Sequence, residues 1–296
     1  MSRTVTVVRP GALTTVQDLG RPGFAHLGVG RSGACDEPAL RLANRLVGNP
    51  EPAAGLETTL DGVALRFLAD AYAAVTGAPA PVRVDGRPAP WAAGFGVRAG
   101  SVVEIGPASA GVRSYLAISG AIAVPETLGS RASDVLSGLG PAPLRAGDEL
   151  ALGAPGEPPP PVGFAPFPAP EDELVVRCLL GPREDWLLTA GRAALGRTAW
   201  VVQSASNRIA LRLGGPALAL RRGELPSEGL VLGAVQVPPS GEPLVFLADH
   251  PVTGGYPVIG VVPEPDVWRL GQARPGARIR FLPRHGGHAR RSGQAP

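Results

Sequence analysis

The sequence predicts a mainly β protein with a few short helices, on three observations. Apolar residues alternate with polar or small ones in several separate runs, the period of two that marks half-buried strands. The 41 glycines and 34 prolines of the 296-residue chain fall mostly between apolar runs, where they read as turns. Convincing helical stretches are few, and many short strands with few helices point to closed antiparallel barrels or sandwiches.

Taken in chain order, the best helix spans Glu37 to Val47. Asp36 can cap it, Pro38 suits its first turn and Gly48 can end it. Leu40, Ala43 and Val47 then share one face. Val63, Leu65 and Phe67 alternate with Ala64 and Arg66, a strand with one wet face. The composition breaks at Gly153–Asp172, where Pro158–Pro161 favour an extended spacer. This divides the chain into an N-terminal domain (1–155), a proline-rich linker (156–172), a C-terminal domain (173–283) and a disordered tail (284–296). Beyond the break, Leu174–Leu180 and Leu244–Ala248 read as buried strands. Ile209, Leu211 and Leu213 form a half-buried strand, as do Ile279 and Phe281. Shorter helices are expected at 183–190 and 266–272.

The hydrophobic content of 44% and charged content of 18% belong to a globular chain. All 28 basic residues are arginine. That excludes a Walker lysine, a Schiff-base lysine and a lysine carrying biotin or lipoate. The net charge of +3 is carried by the arginine-rich tail, which leaves a near-neutral body and argues against a nucleic-acid partner. Cys35 and Cys178 lie far apart, without metal-ligand spacing, and fit a reducing compartment. No apolar run has signal-peptide or membrane-span length, so a cytoplasmic protein is expected.

No GxSxG, HExxH, GxxxxGK[ST] or well-placed GxGxxG motif occurs. Chemistry is therefore sought in polar clusters within apolar surroundings. Thr14–Gly23 packs Asp18 and Arg21 into a glycine-rich turn; local turn bonds explain it at least as well as an anion site. Ser206, Asn207 and Arg208 precede a strand and can grip a carboxylate or phosphate, or form a turn with a surface arginine. Asp249-His250-Pro251-Val252-Thr253-Gly254-Gly255-Tyr256-Pro257 follows an apolar strand. Its paired glycines admit close backbone approach to a ligand, or make a plain hairpin loop. Of the four histidines, His250 is best placed for a site. Gln236 is a lone amide in an apolar strand and needs partners. Cys35, at a helix N-terminus but without a neighbouring base, reads as a structural thiol.

These same clusters carry a family likeness. GALTTVQDLGRPGFAHLGVGRSGACDEPALRLANRLVGN, GVRSYLAISGAI, SNRIALRL and LPSEGLVLGAVQVPPSGEPLVFLADHPVTGGYPVIG together resemble the allophanate hydrolase subunit 2 family. That family includes the C subunits of 5-oxoprolinases, KipA regulators and part of the carboxyltransferase region of urea carboxylase. The likeness runs from about Val7 to Phe281. It implies two cyclophilin-like β-barrel domains. It also implies a complex with 5-oxoprolinase subunits A and B, the B subunit being the nearest partner. That complex opens 5-oxoproline to glutamate with ATP hydrolysis, Mg2+ accompanying the ATP and no covalent biotin on this chain. Arg208, with Asn207 and the Gly254–Gly255 backbone, would then stabilise a developing oxyanion. Asp249 would orient metal or proton donor, and Ser206, Gln236, Thr253, Tyr256, Asp18 and Arg21 would line the site, with no metal held by protein ligands. Two alternatives stand beside this: a biotin-dependent urea carboxylase component and a KipA-like regulatory binder. Pro251 and Val252 depart from the family's D-x-Q-T-T-G-G-Y-P pattern, and proline removes a backbone donor there.

Overall fold

A computed structural model describes residues 3–156, 165 and 170–285. The first half packs two antiparallel sheets face to face. One has the strand order Glu149–Ala151, Thr4–Arg9, Ala64–Phe67, Val102–Ile105, Val82–Val84, Arg87–Ala89. The other runs Leu13–Gln17, Gly55–Thr59, Arg113–Ile118, Ala71–Gly77, Gly94–Val97. Val5, Val7, Leu65, Phe67, Val103 and Ile105 of the first sheet meet Leu56, Val75, Leu116 and Ile118 of the second in one core. The alternation expected at residues 63–67 is observed only at Arg66, which faces water; Ala64 is buried at 2%.

The helix Glu37–Leu46 forms for the reasons its sequence suggests. Asp36 Oδ1 accepts from Ala39 N at 3.2 Å, Pro38 sits in the first turn, and Gly48 follows with φ +74°. Its apolar face lies on the second sheet, with Ala43, Leu46 and Val47 against Ala74 and Ala117, and Leu40 beside Tyr115. Covered on one side by the helix and on the other by the core, Arg113–Ile118 is buried throughout.

The second half closes a seven-stranded barrel in the order Glu173–Leu180, Val258–Val261, Ala234–Gln236, Leu244–Phe246, Ala210–Gly214, Trp200–Val202, Arg278–His285. Closure is made by parallel pairing of the last of these with the first, from Glu173↔Arg278 to Leu180↔His285. Trp200, Val176, Val235, Val245, Ile259 and Phe281 fill the interior.

Four local expectations are corrected. The segment at 174–180 alternates, with Leu174, Val176 and Cys178 inside and Val175 and Leu179 exposed, because one side of this barrel wall faces water. The helix expected at 183–190 is a short 3-10 turn, Glu184–Trp186, then a helix at Thr189–Arg197; extended Leu188 separates them. The last helix begins earlier, at Glu264, because Pro265 suits a first turn that needs no N–H. Arg284 and His285 still pair with Leu179 and Leu180, so the last strand extends into the segment expected as tail. The rest of that tail, from 286, and most of the expected linker at 156–172 lie outside the described residues. Among the described residues no helix is long and apolar enough to cross a membrane.

Candidate functional site

The seam between the halves is built from charge. Arg208 leads into a barrel strand, yet it is only 1% exposed. Its Nε and Nη2 reach both oxygens of Asp249 at 2.8 and 2.9 Å, its Nη2 also donates to Gly33 O at 2.6 Å, and its Nη1 donates to Glu57 Oε1. Glu57 comes from the second sheet of the first half. It also accepts from Cys35 N at 3.0 Å and the Tyr115 hydroxyl at 2.7 Å, and Arg113 Nε lies 3.3 Å away. Asp249 further accepts from Val135 N at 3.1 Å, and the Ser32 hydroxyl lies 2.7 Å from it. A second bridge runs through Gln272, whose Oε1 accepts from Val112 N and Arg113 N and whose Nε2 donates to Asp36 Oδ2 at 2.8 Å.

Electrostatics follow from this wiring. Burial alone would raise Glu57, but Arg208 and Arg113 outweigh it and hold the carboxyl below its usual range. Burial opposes the Arg208 charge, and Asp249 and Glu57 more than compensate. Asp36 lacks an arginine partner, and burial lifts it to about 6. Burial pushes the Cys35 thiol up to about 11, so it stays protonated and unreactive at neutral pH, as a structural thiol does.

This wiring gives Arg208 a structural part that its sequence context did not suggest. A guanidinium enclosed by two carboxylates and a carbonyl acts as a rivet between the halves. Asp249 is held in the same way, by Arg208, Ser32 and Val135 N. Asn207 Oδ1 accepts from Ile209 N and Ala210 N at 2.8 and 3.2 Å and shapes the turn into the strand. Ser206 Oγ caps the same turn through Arg212 N. Asp18 accepts one local bond, from Gly20 N, and two from the distant Ser130 Oγ and Arg131 N, so its loop is fixed mainly by long-range contacts and not by local turn bonds alone. Arg21 is buried in that loop and donates to the carbonyls of Thr127 and Ala132. Gln236 is buried and donates to Tyr256 O at 3.1 Å, so it holds the 253–257 loop from below.

That loop is where concave surface lies. Thr253–Gly254 pairs with Glu228–Gly229. Gly255, Tyr256 and Pro257 form part of a cavity of about 600 Å3, with Trp186, Leu218, Arg222, Glu224 and Val237 among its walls. Tyr256 is 48% exposed. The Tyr256 hydroxyl and the charged ends of Arg222 and Glu224 have no hydrogen-bond or ion-pair partner among the described residues. Arg208 does not line this cavity, so the expected grouping of Arg208 with Tyr256 around one ligand is not what the fold builds. A smaller cavity, about 290 Å3, opens at the seam between Arg21, Gly30, Arg31, Leu230, His250 and Val252. His250 and Val252 belong to the same loop, which therefore contributes to both cavities.

Sequence reasoning missed Glu57, Arg113, Ser32 and Gln272 in the seam, and Trp186, Arg222 and Glu224 in the larger cavity. Glu57 carried only a weak signal: it lies between Ala53-Ala54-Gly55-Leu56 and Thr58-Thr59, and like Gln236 it needs partners once buried. Arg221-Arg222-Gly223-Glu224 reads only as a solvated loop.

Fold and site together place the chain in a known class. The family model for the carboxyltransferase domain, subdomain A and B, matches residues 27–283, and the chain belongs to that family. Among its relatives is the C subunit of the 5-oxoprolinase of Escherichia coli (strain K12), 37% identical over 289 residues that cover 93% of this chain and 90% of that protein. Two solved structures share the fold. TTHA0988 is 38% identical with a TM-score of 0.86, covering 95% of this chain and 55% of that one. The urea amidolyase of Kluyveromyces lactis is 30% identical with a TM-score of 0.89, covering 96% of this chain and 19% of that one. The chain thus spans about half of the first and about a fifth of the second.

Proposed function

We propose that this chain is the C subunit of an ATP-dependent 5-oxoprolinase and opens the lactam of 5-oxoproline to glutamate only together with A and B subunits. The observation that carries this reading is the near end-to-end match with a 5-oxoprolinase C subunit, against a match to a fifth of a urea amidolyase. A lactam is resonance-stabilised, and phosphorylation of its oxygen by ATP makes a better electrophile. Such a step needs positive charge and hydrogen-bond donors where negative charge develops. With Arg208 committed to the seam, the larger cavity supplies these: the guanidinium of Arg222, the Tyr256 hydroxyl and the backbone of Gly255. No group of three or more His, Cys, Asp or Glu among the described residues is arranged to hold a metal. Mg2+ would accompany the ATP through its phosphates, and no step here runs through it.

The test is glutamate release from 5-oxoproline and ATP by A, B and C together and by each pair. Activity requiring all three supports the reading, and full activity without C excludes it. Arg222→Ala should lower kcat/KM at least about tenfold, equivalent to about 1.4 kcal/mol, while the complex still assembles by size-exclusion chromatography. The close structural match to urea amidolyase favours one second reading, a carboxyltransferase component served by a biotin carrier. Loss of turnover on adding avidin would select that reading.

A further inference from the structure

The larger cavity is bigger than a lactam needs. At about 600 Å3 it lies in the range that encloses a drug-sized ligand, and a single five-membered ring with one carboxylate fills a small part of it. Its walls are tied to one another. Leu187 pairs with Leu220, Arg221 N donates to Trp186 O at 2.8 Å, and the Arg221 side chain pairs with Asp185 at 3.2 Å. The chain at 222–224 runs against the indole, since a Cβ on Gly223 would lie 3.2 Å from Trp186 Cη2. The 255–257 loop approaches the same segment: a Cβ on Gly255 would lie 3.8 Å from Leu225 O. The main-chain N–H groups of Arg222, Gly223, Glu224, Leu225, Gly255 and Tyr256 have no hydrogen-bond partner among the described residues. Open N–H groups beside the open guanidinium of Arg222 suit an anion with several oxygens. Much of the remaining lining is apolar, with Leu218, Leu220, Val237 and Pro239 near the indole.

We propose that this cavity also takes the adenine nucleotide, with its terminal phosphates on Arg222 and the open N–H groups and its base against the Trp186 indole. The proposal rests on the 5-oxoprolinase reading above and places the second substrate of that reaction. When the lactam oxygen bonds to the γ-phosphorus, the bond from that phosphorus to the β–γ bridging oxygen breaks and ADP leaves. Donor and acceptor must therefore meet at about 3–3.5 Å. Arg222 and Tyr256 can act on the lactam oxygen only if the γ-phosphoryl group sits beside them. The rest of the nucleotide then needs the volume that the lactam leaves empty. Trp186 is the aromatic wall of that volume besides Tyr256, and a purine stacks on an aromatic face without needing a particular pattern of hydrogen-bonding groups. Glu224, the one acid of the lining, is left as an acceptor for the ribose hydroxyls. Every group involved belongs to this chain, so the isolated full-length chain must bind.

The test is calorimetric titration of the isolated full-length chain with ADP in the presence of Mg2+. Saturable binding is expected, at least about tenfold weaker in Trp186→Leu, the loss that removing a stacking platform brings. Tripolyphosphate, which has no base, should bind at least about tenfold more weakly than ADP for the same reason and should not respond to Trp186→Leu. That variant can loosen the turn to which Trp186 belongs, so Trp186→Phe is the second variant. It keeps an aromatic face and should keep the ADP affinity within about threefold. It should also lose the ADP-dependent quenching of tryptophan emission, because Trp91, Trp200 and Trp268 do not line the cavity. No saturable binding, an ADP affinity that Trp186→Leu leaves unchanged, or quenching that persists in Trp186→Phe overturns the proposal. Equal affinity for tripolyphosphate and ADP overturns it as well. Glutamate release by the assembled complex without nucleotide binding here removes this site and leaves the functional reading standing. Trp186-dependent ADP binding by a chain whose complex releases no glutamate supports the site and removes the functional reading.

Discussion

Removing the Arg208 guanidinium leaves Glu57 and Asp249 as two carboxylates in a dry seam. Breaking a buried pair from one side costs about 3–5 kcal/mol, since the partner charges stay buried. Arg208→Met should lower the thermal midpoint of the isolated chain accordingly, and a variant as stable as the parent would refute the rivet role. Asp36 gives a pH signature. Its native value of about 6 lies above the ordinary 3.8, so between these the folded state holds a proton that the unfolded state has lost. Its contribution to stability is full below about pH 4 and declines as pH rises through 6. Asp36→Asn does not titrate, so its stability relative to the parent should rise between pH 4 and 7, by up to about 3 kcal/mol at 1.36 kcal/mol per pKa unit. Urea unfolding at both pH values measures this, and a pH-independent difference would contradict it. Asp36 was legible as a helix cap from sequence. Its bond to Gln272 was not, because 236 residues separate them and no local pattern reports such a meeting.

At the scale of elements, the helix at 37–46 and the alternating strands could be read directly, since caps and period two are local. The helix near 189 could not: its first turn has no side-chain cap, so nothing local marks the start. The 249–257 loop was recognised as a polar cluster, but its division between two cavities depends on Gln236 and on pairing with Glu228–Gly229. Gly254 is fixed by that support. A Cβ there would lie 2.9 Å from both Gln236 Nε2 and Leu230 Cδ1, so Gly254→Ala must shift these side-chain ends and disturb the Gln236 support of the loop. The expected result is lower turnover in the assembled complex with a nearly unchanged melting temperature, because Thr253, Gly255 and Tyr256 around it are exposed. Full turnover would show that loop position does not matter.

For the whole molecule, the mainly β architecture was legible from composition and periodicity, and the family likeness rests on several motifs in order. The seam was not, since charge pairing across halves leaves no periodic trace. Because Glu57, Asp36 and Arg113 of one half are wired to Arg208, Asp249 and Gln272 of the other, the chain should unfold in one calorimetric transition. Arg208→Met should separate it into two, and two transitions in the parent would argue against coupling. The barrel's closing contact has a further consequence, for synthesis on the ribosome. Glu173–Leu180 emerges early, yet its parallel mate Arg278–His285 is translated last of all the barrel strands. Until then the nascent chain carries an unzipped wall and a greasy lumen open to water, the state in which chaperones are most needed.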